Sequence, residues 1–439
     1  MRAPVRGLLR WLVPGMRVKR WILLAVVSMG LVVVAILLAF GVDLVRALYR
    51  ALPAGGAAGS ALMTGLVAAG ICGFGLSLWR LVRSIARGVA PGAREKTSAL
   101  IYRTRILARG PNVVAVGGGT GLSTLLRGLK EETSNITAVV TVTDDGGSSG
   151  RLREEIDVLP PGDVRNCILA LAEDETEMST FLQYRFAGTH ELAGHSLGNL
   201  LLAGLEQATG GFDRAVEAMS HMLSIRGAVL PATLTKTHLV ATMEDGTELE
   251  GESRIVSDPR RIRTLRLSSP PVRPYERVLT AIAEADLILV GPGSLFTSLV
   301  PNLLVEGIAA AIEEAAAEKV LIGNLMTQPG ETDGFTLSDH LRVLAEYVDL
   351  SCFDLLIANA ARPSDAMLAK YRDEAAEPIV DDVGDGSEFG LAVIREGLLG
   401  LAEWGGKQTV KHSPMSLART IVRQTRTFSH RGRSYDTTL

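Results

Sequence analysis

The sequence contains few cysteines and few aromatic residues. Its three cysteines, Cys72, Cys167 and Cys352, lie far apart and in no metal-binding spacing, which excludes a disulfide framework and a zinc ribbon. Aromatic residues are only 5% of the 439 residues, but hydrophobic residues are 47%, so the chain is neither disordered nor of low complexity. The net charge of −3 is not that of a bulk nucleic-acid binder. The length allows a core domain with appended parts.

Common nucleotide-binding and catalytic signatures are also missing. From Gly117 and Gly119, the sixth position of a G-x-G-x-x-G fingerprint is Leu122 instead of glycine. No Gly-Lys-Ser/Thr follows that would complete a Walker A loop, and no nucleophile elbow or internal repeat is present. These absences argue against a standard dinucleotide dehydrogenase, a P-loop NTPase and a serine hydrolase.

Acidic residues are scarce in the first 100 residues, which carry 13 Lys and Arg but 2 Asp and Glu. Two uncharged stretches lie there, Trp21–Val42 and Ala51–Trp79, each flanked by basic residues on its outer side. We predict two transmembrane helices, at about 21–42 and 60–79, with both ends in the cytoplasm. A signal peptide and a buried helical hairpin are the alternatives, but a signal h-region is shorter than either stretch. The prediction is a multi-pass membrane anchor over residues 1–100.

From Asn112 onward, short β-rich runs alternate with helical patterns. Strands are predicted at 112–116, 136–143, 286–290, 320–325 and 353–357, and helices at 196–209, 212–223, 275–285, 298–318 and 338–348. A hairpin is predicted around Glu244-Asp245-Gly246. This alternation favours an α/β domain over 101–403, with a doubly wound, mostly parallel sheet.

The pattern fades in a basic tail, 404–439, which holds seven Lys and Arg and one acid. A solvated, mostly disordered tail is the first interpretation. An arm that lies on anionic lipid is the alternative.

A glycine-rich turn, Gly117-Gly118-Gly119-Thr120-Gly121, joins the first predicted strand to a helix. Glycine allows positive φ and close approach to the main chain, and the N–H groups at a helix start favour phosphate. A tight turn is the alternative, but it needs fewer glycines than the four found here.

The second predicted strand ends in Asp144-Asp145 and a Gly/Ser run that contains Ser148 and Ser149. Two carboxylates here could hold Mg²⁺, contact ribose hydroxyls or position a nucleophile. An Asx turn that caps the next helix would need only one of them.

Other polar residues follow strands or open helices. Gly293, Ser294 and Asn324 follow two predicted strands, and ligands of parallel sheets bind at the carboxyl ends of the strands. His195 is a candidate proton shuttle or phosphate partner, or else a hydrogen-bonding residue at the helix start. Arg165 is a candidate phosphate clamp or a member of a salt bridge.

Several long motifs, in this order, carry a resemblance to a known family: Gly117–Gly121, Thr143–Gly150, Pro161–Asn166, His195–Asn199, Leu230–Thr233, Gly291–Pro301 and Asn324–Asp339. They resemble the gluconeogenesis factor family of YvcK-like proteins, a branch of the superfamily that includes the phospholactate transferase CofD. The resemblance implies a Rossmann-like fold that binds a UDP-sugar, such as UDP-N-acetylglucosamine or UDP-glucose. It further implies a role in gluconeogenic growth, cell shape and wall synthesis.

In the transferase branch, acids after the second strand help to hold a divalent metal ion, so the resemblance makes Asp144 and Asp145 candidate Mg²⁺ ligands. The function predicted is therefore a membrane-tethered, nucleotide-sugar-binding regulator, with a metal-dependent transferase as the alternative. We also expect a homo-oligomer that binds no nucleic acid, and no catalytic residue is assigned. The predicted ligand-binding residues are Gly117, Gly118, Gly119, Thr120, Gly121, Asp144, Asp145, Ser148, Ser149, Arg165, Asn166, His195, Asn199, Gly293, Ser294 and Asn324.

Overall fold

This computed structural model of the chain describes residues 107–429 except for 174, 374, 405 and 406, together with 29–30 and 75. The chain divides into two compact units, Met1–Ala108 and Arg109–Leu439. The predicted membrane helices lie outside the described residues, apart from Met29, Gly30 and Gly75, which are helical. Among the described residues, no single helix is long and apolar enough to cross a membrane. One bent pair, Leu295–Leu303 and Ile308–Glu314 at an angle of 75°, is together long and apolar enough by length and composition.

Twelve strands occur in the described part of the chain. They are β1 (Val113–Gly117), β2 (Ile136–Val140), β3 (Ala228–Pro231), β4 (Leu239–Met243), β5 (Glu248–Glu250), β6 (Ile262–Leu267), β7 (Leu287–Val290), β8 (Glu318–Ile322), β9 (Leu355–Asn359), β10 (Ala392–Glu396), β11 (Leu399–Trp404) and β12 (Lys407–His412).

The same part of the chain contains fourteen α-helices, several of them only one or two turns long. They are α1 (Gly119–Leu129), α2 (Gly147–Ile156), α3 (Gly162–Leu171), α4 (Glu175–Leu182), α5 (Leu197–Thr209), α6 (Phe212–Met222), α7 (Glu252–Ser257), α8 (Glu276–Ala283), α9 (Val300–Leu303), α10 (Ile308–Glu314), α11 (Leu337–Ala345), α12 (Asp365–Asp373), α13 (Pro414–Gln424) and α14 (Arg426–Ser429).

The main sheet has seven strands in the order β10-β9-β8-β7-β1-β2-β3. Every neighbouring pair in it is parallel, which confirms the predicted Rossmann-like α/β fold. The chain builds outward from β1 through β2 to β3, and then returns to β7 on the other side of β1. The gap between the carboxyl ends of β1 and β7 is therefore the topological switch point, where open parallel sheets bind ligands.

Both faces of this sheet are covered. Along β1, Val114 and Val116 join one hydrophobic core, whereas Val113 and Ala115 join the other. Successive side chains of a strand point to opposite faces, so a strand buried on both faces is apolar throughout. This explains the uninterrupted apolar runs in the sequence.

Two regions differ from the prediction. The helix predicted over 298–318 is a π-helical turn at Leu295–Leu299, followed by α9 and α10. The helical path is interrupted before α10 at Gly307, whose φ is +81°. A left-handed residue of this kind ends the regular helical path.

The basic tail is also more ordered than predicted. β11 and β12 pair antiparallel, and the prediction of disorder is wrong for residues 407–429. Helix α13 packs against α1 so closely that a Cβ on Gly128 would lie 2.1 Å from the carbonyl oxygen of Pro414. Leu417 and Ile421, four residues apart on α13, are fully buried. The apolar face of α13 is narrow, and the many charged residues of the tail made its helical pattern hard to recognise in the sequence.

A small antiparallel sheet has the strand order β5-β4-β6. In the sequence, its strands lie between β3 and β7 of the main sheet. Its β4–β5 hairpin turns at the predicted Glu244-Asp245-Gly246.

Candidate functional site

Two glycine loops face each other at the switch point. One follows β1 and continues into the first turn of α1, where Gly121 lies, and the other follows β7 and contains Pro292. A Cβ on Gly121 would lie 2.5 Å from the carbonyl oxygen of Pro292, so only glycine permits this approach. Asn302 holds the start of the first loop, because its Nδ2 donates to the carbonyl oxygen of Gly117 at 2.9 Å. The two predicted loops thus form one crevice.

The loop after β1 begins α1. Gly119 has a φ of +61°, which favours glycine, and Gly118 before it is extended. The amide of Gly119 donates to Oδ2 of Asp163 at 2.6 Å. One of the amides predicted to receive phosphate is therefore bonded to a carboxylate here.

Three side chains after β8 hold the loop after β7. Asn324 exchanges two hydrogen bonds with the backbone of Gly293, at 3.2 and 2.8 Å. Gln328 donates to Oγ of Ser294 at 2.6 Å. The predicted residues Gly293, Ser294 and Asn324 are therefore brought together, mainly by contacts with one another and with Gln328.

Glu331 is the third of these side chains, and it was not predicted. It is 8% exposed, and its Oε1 accepts a hydrogen bond from Oγ1 of Thr297 at 3.3 Å. Burial raises the pKa of Glu331 to about 7, although hydrogen bonds from Thr297 and Phe296 oppose this shift. The buried Oε2 has no hydrogen-bond partner among the described residues.

A cavity of about 310 Å³ opens between the two loops. Of the predicted residues, Gly118–Gly121, Gly293, Ser294 and Asn324 line it. The other lining residues fall into two groups. Pro292, Ser298, Leu325, Met326, Thr327, Gln328 and Pro329 lie in motifs noted in the sequence but were not predicted as ligand-binding residues, whereas Thr124, Tyr371, Ala376, Val410, Lys411 and His412 were missed by sequence reasoning.

The far wall of the cavity comes from the C-terminal part of the chain. Tyr371 lies on α12, and Val410, Lys411 and His412 end β12. Burial, assisted by the charge of Arg127, lowers the pKa of Lys411. Burial lowers the pKa of His412 to about 4, so its ring is neutral at physiological pH. Its residues Val410, Lys411 and His412 lie in the stretch where the sequence pattern fades.

Carboxylates gather beside the loop after β1. Asp144 accepts a hydrogen bond from the amide of Gly146 at 2.8 Å, which is the Asx turn considered above. Burial raises the pKa of Asp144. Burial and the negative charge of Asp144 raise the pKa of Asp163 to about 7. Glu252, at the start of α7, has a pKa raised well above its usual value by burial and by the charges of Asp144 and Asp163.

Asp145 makes different contacts from its neighbour. Its Oδ1 accepts a hydrogen bond from the amide of Ser253 at 2.8 Å, in the first turn of α7. The carboxyl group that bonds the amide of Gly119 is that of Asp163, whereas Oδ2 of Asp144 would lie 3.2 Å from a Cβ on Gly162. Within the described residues, no group of three His, Cys, Asp or Glu could hold a metal ion.

Arg165 lies behind these acids in a buried network. It is 3% exposed, and it donates to Ser196, to Oδ1 of Asn199 at 2.6 Å and to Oδ1 of Asn166 at 2.8 Å. Burial and the charge of Arg185 lower the pKa of Arg165 to about 10. The predicted Arg165, Asn166 and Asn199 therefore meet, but they bond to one another.

The same network continues to the start of α2. Nδ2 of Asn199 donates to Oγ of Ser148 at 3.1 Å, and this oxygen lies 3.0 Å from Nδ1 of His195. His195 is 1% exposed, and burial together with the charge of Arg151 lowers its pKa. Ser149 also belongs to this region, because its side chain hydrogen-bonds Asp144. These residues orient the starts of α2, α3 and α5 around the acids.

Comparison with known proteins gives the family. The model of the 2-phospho-L-lactate transferase CofD family matches residues 113–399. This chain belongs to the CofD family. The matched residues include both glycine loops and the acids, but Val410–His412 of the cavity wall lie beyond them.

Relatives within the CofD family are called gluconeogenesis factors. A putative gluconeogenesis factor of Nostoc sp. is 42% identical over 430 residues, which cover 94% of this chain and 92% of that protein. The gluconeogenesis factor of Halalkalibacterium halodurans is 49% identical over 285 residues, or 65% of this chain and 88% of that protein. A crystal structure of a Bacillus halodurans protein is similar with a TM-score of 0.68 and 45% identity, covering 72% of this chain and 100% of that one.

Proposed function

We propose that the chain binds a nucleotide sugar, such as UDP-N-acetylglucosamine or UDP-glucose, in the cavity at the switch point. The observation that carries this proposal is the meeting of the two glycine loops at Gly121 and Pro292, with a cavity of about 310 Å³ beside them. As a gluconeogenesis-factor-like regulator, the protein would link carbon metabolism to cell-wall synthesis and cell shape.

The polar end of the cavity suits a diphosphate. It combines the start of α1 with Ser294 and Ser298, and Lys411 of the far wall lines the same cavity. A helix N-terminus attracts anions through its N–H groups and its dipole, and a lysine adds a full positive charge. None of these groups is a nucleophile with an adjacent base, which favours binding over turnover.

A membrane location at the cytoplasmic face is part of the same proposal. It rests on the two uncharged stretches of the N-terminal segment and their basic flanks. The match with the Nostoc relative covers 94% of this chain, so it extends well into that segment. We also propose a homo-oligomer.

The test is calorimetric titration of the full-length chain in detergent. The ligands are UDP-N-acetylglucosamine, UDP-glucose, NAD and GDP, each with and without Mg²⁺. The proposal predicts micromolar binding of a UDP-sugar that stays intact, and loss of this binding in Gly119→Val. Valine is strained at the φ of +61° that Gly119 adopts. Absence of binding for every UDP-sugar would refute the proposal.

A second candidate is a metal-dependent transferase of a phosphate-containing group. The observation that favours it is a pair of buried carboxyl groups: Asp163 accepts a hydrogen bond from the amide of Gly119, and the charge of Asp144 acts on Asp163. Mg²⁺ fits such a pair, because it is bound by one or two carboxylates together with phosphate oxygens and water. When bound, the ion would neutralise charge on the phosphate groups. Asp144 and Asp163 would hold the ion, and Glu252 lies close enough for both of their charges to raise its pKa.

This candidate is tested by incubating the full chain with a nucleotide sugar, Mg²⁺ and a hydroxyl-bearing acceptor. Nucleotide release that disappears in Asp144→Asn, while binding persists, would establish the transferase. An intact ligand after prolonged incubation would exclude turnover of that donor with that acceptor.

A further inference from the structure

The loop after β7 leads into the π-helical turn Leu295–Leu299, a rare conformation that often occurs at functional sites. This turn places Ser298 between the two glycine loops. A Cβ on Gly118 would lie 3.3 Å from Cβ of Ser298, and a Cβ on Gly293 would lie 3.2 Å from it. Oγ of Ser298 would lie 3.6 Å from a Cβ on Gly119, at the start of α1. A shift of the π-helical turn would therefore move a hydroxyl group at the start of α1.

The start of the π-helical turn is capped by a residue that is distant in the sequence. Ser294 precedes the turn, but its side chain makes no capping hydrogen bond, and its Oγ accepts from Gln328 instead. The first N–H groups of a helical turn have no partner within it, so they need an acceptor from elsewhere. The carboxyl group of Glu331 accepts hydrogen bonds from the backbone of Phe296 and Thr297. It also accepts from Oγ1 of Thr297 at 3.3 Å.

Glu331 is itself held in place by its loop, which lies between β8 and α11. The neighbouring Gly330 has a φ of +80°, and a Cβ there would collide with the carbonyl oxygen of Val256 on α7. The amide of Gly330 donates to Oδ2 of Asp333 at 2.7 Å. The loop thus packs closely on α7, and this packing keeps the buried carboxyl group of Glu331 against the π-helical turn.

The end of the π-helical turn is tied to the other glycine loop. Nδ2 of the fully buried Asn302 donates to the carbonyl oxygen of Ser298 at 2.6 Å and to that of Gly117 at 2.9 Å. Glu331 at the start of the turn and Asn302 at its end therefore fix the segment that carries Ser298.

We propose that Glu331 is a positioning residue for binding of the ligand's phosphate groups, acting through Ser298. Glu331 is not among the residues that line the cavity. This inference rests on the proposed function and deepens it, because it names a residue outside the cavity on which the phosphate end depends. A carboxylate repels phosphate, so the role of Glu331 is geometric: by capping the π-helical turn it places a hydroxyl donor beside the start of α1.

The experiment is calorimetric titration of the full-length chain in detergent with inorganic pyrophosphate and with UDP-N-acetylglucosamine. Glu331→Met keeps the length of the side chain but removes both acceptor oxygens. We expect it to weaken binding of both ligands about tenfold, as the loss of one hydrogen bond to a charged group does. Glu331→Gln keeps an acceptor oxygen, so it should restore most of the affinity.

A double variant shows whether Glu331 acts through Ser298. Ser298→Ala removes the hydroxyl group and should weaken pyrophosphate binding by a similar factor. If Glu331 acts by placing that hydroxyl group, the double variant Glu331→Met/Ser298→Ala loses no more affinity than either single variant. Losses that multiply would overturn the proposal, since Glu331 would then act independently of Ser298.

The matched control is Glu206→Met. Burial also raises the pKa of Glu206 to about 7, and its carboxyl group accepts a hydrogen bond from the amide of Leu159 at 3.2 Å, but it does not line this cavity. Glu206→Met should bind both ligands like the wild type. Circular dichroism shows whether each variant is folded. If Glu331→Met is unfolded, Thr297→Val replaces it, with a smaller loss expected, because it removes the hydroxyl group that bonds Glu331.

Unchanged affinity in the folded variant, Glu331→Met or its replacement, would overturn the proposal. An equal loss in Glu206→Met would also overturn it, because any buried glutamate would then have the same effect. A wild-type chain that binds neither pyrophosphate nor UDP-N-acetylglucosamine would instead refute the proposed function.

Discussion

The amide of Gly119 donates a 2.6 Å hydrogen bond to the carboxyl group of Asp163. A helix N-terminus that could receive phosphate is thus bonded to an acid of the same chain. Because the pKa of Asp163 is about 7, its charge changes near neutral pH. A phosphate that binds at this helix start must displace the carboxylate, or else the phosphate and the carboxylate must both bind the same cation.

The adjacent acids Asp144 and Asp145 are expected to behave differently. Asp144→Asn should abolish any Mg²⁺ dependence of nucleotide binding, because the charge of Asp144 acts on Asp163, the acid that bonds the amide of Gly119. Asp145→Ala should leave that dependence in place and lower stability by about 1 kcal/mol, since it removes the oxygen that accepts from the first turn of α7. Titrations at several Mg²⁺ concentrations and urea unfolding measure the two effects. Equal Mg²⁺ dependence in both variants would contradict the assignment.

Because the two glycine loops are in contact, we expect one added methyl group to weaken nucleotide binding strongly. Gly121→Ala should reduce nucleotide binding more than tenfold, because the new Cβ would meet the carbonyl oxygen of Pro292 at 2.5 Å. The control is Gly204→Ala on α5, where no atom lies within 4 Å of the new Cβ. It should bind normally and gain about 0.5–1 kcal/mol of helix stability. Normal binding by Gly121→Ala would show that the crevice is not the site.

Lys411 supplies the cationic side chain of the far wall. Lys411→Ala should weaken binding of a UDP-sugar about tenfold at low salt and less at high salt, because added ions screen the lost attraction. Lys411→Arg keeps the charge and most of the affinity. Lys370→Ala, at an exposed position on α12, is the control and should have no effect. The measurement is calorimetric titration at two salt concentrations.

The raised pKa of Glu331 leads to a prediction of how the free energy of unfolding depends on pH. Its pKa is about 7 in the folded protein and about 4.5 in the unfolded chain, so the folded state holds the proton more tightly. The contribution of this group is therefore complete below pH 4.5 and is lost as the pH rises towards 7. Glu331→Gln should reduce the loss of stability over this range by about 1–3 kcal/mol.

Urea unfolding at pH 5 and pH 8 measures that difference. The exposed Glu346 provides the control variant Glu346→Gln, which should show the slope of the wild type. A Glu331→Gln variant with the wild-type slope would show that the carboxyl group is ionised throughout.

The parallel sheet and its glycine loops could be predicted from the sequence, because they depend on local signals. An apolar run such as Val113–Val116 followed by glycines is typical of a buried strand that turns into a ligand-binding loop. The loop after β7 and Asn324 were predicted to meet for the same reason, since carboxyl ends of parallel strands share one edge. Both now line one cavity.

The far wall could not be predicted in this way. Tyr371 and Lys411 are far apart in the sequence, and the hydrogen bond between Tyr371 and Val410 exists only once α12 and β12 have packed together. Similarly, Asp145 follows Asp144 directly, yet it bonds Ser253, which is 108 residues away. Long-range packing, and not residue type, decides that Asp145 bonds α7 whereas Asp144 lies near Asp163.

The order of the cavity walls along the chain has a consequence for biosynthesis. The loop after β1 leaves the ribosome early, but the last wall residue, His412, is followed by only the final part of the 439-residue chain. A nascent or prematurely terminated chain therefore lacks a closed cavity even when its main sheet is complete. The proposed nucleotide site is therefore complete only after residue 412 has been translated.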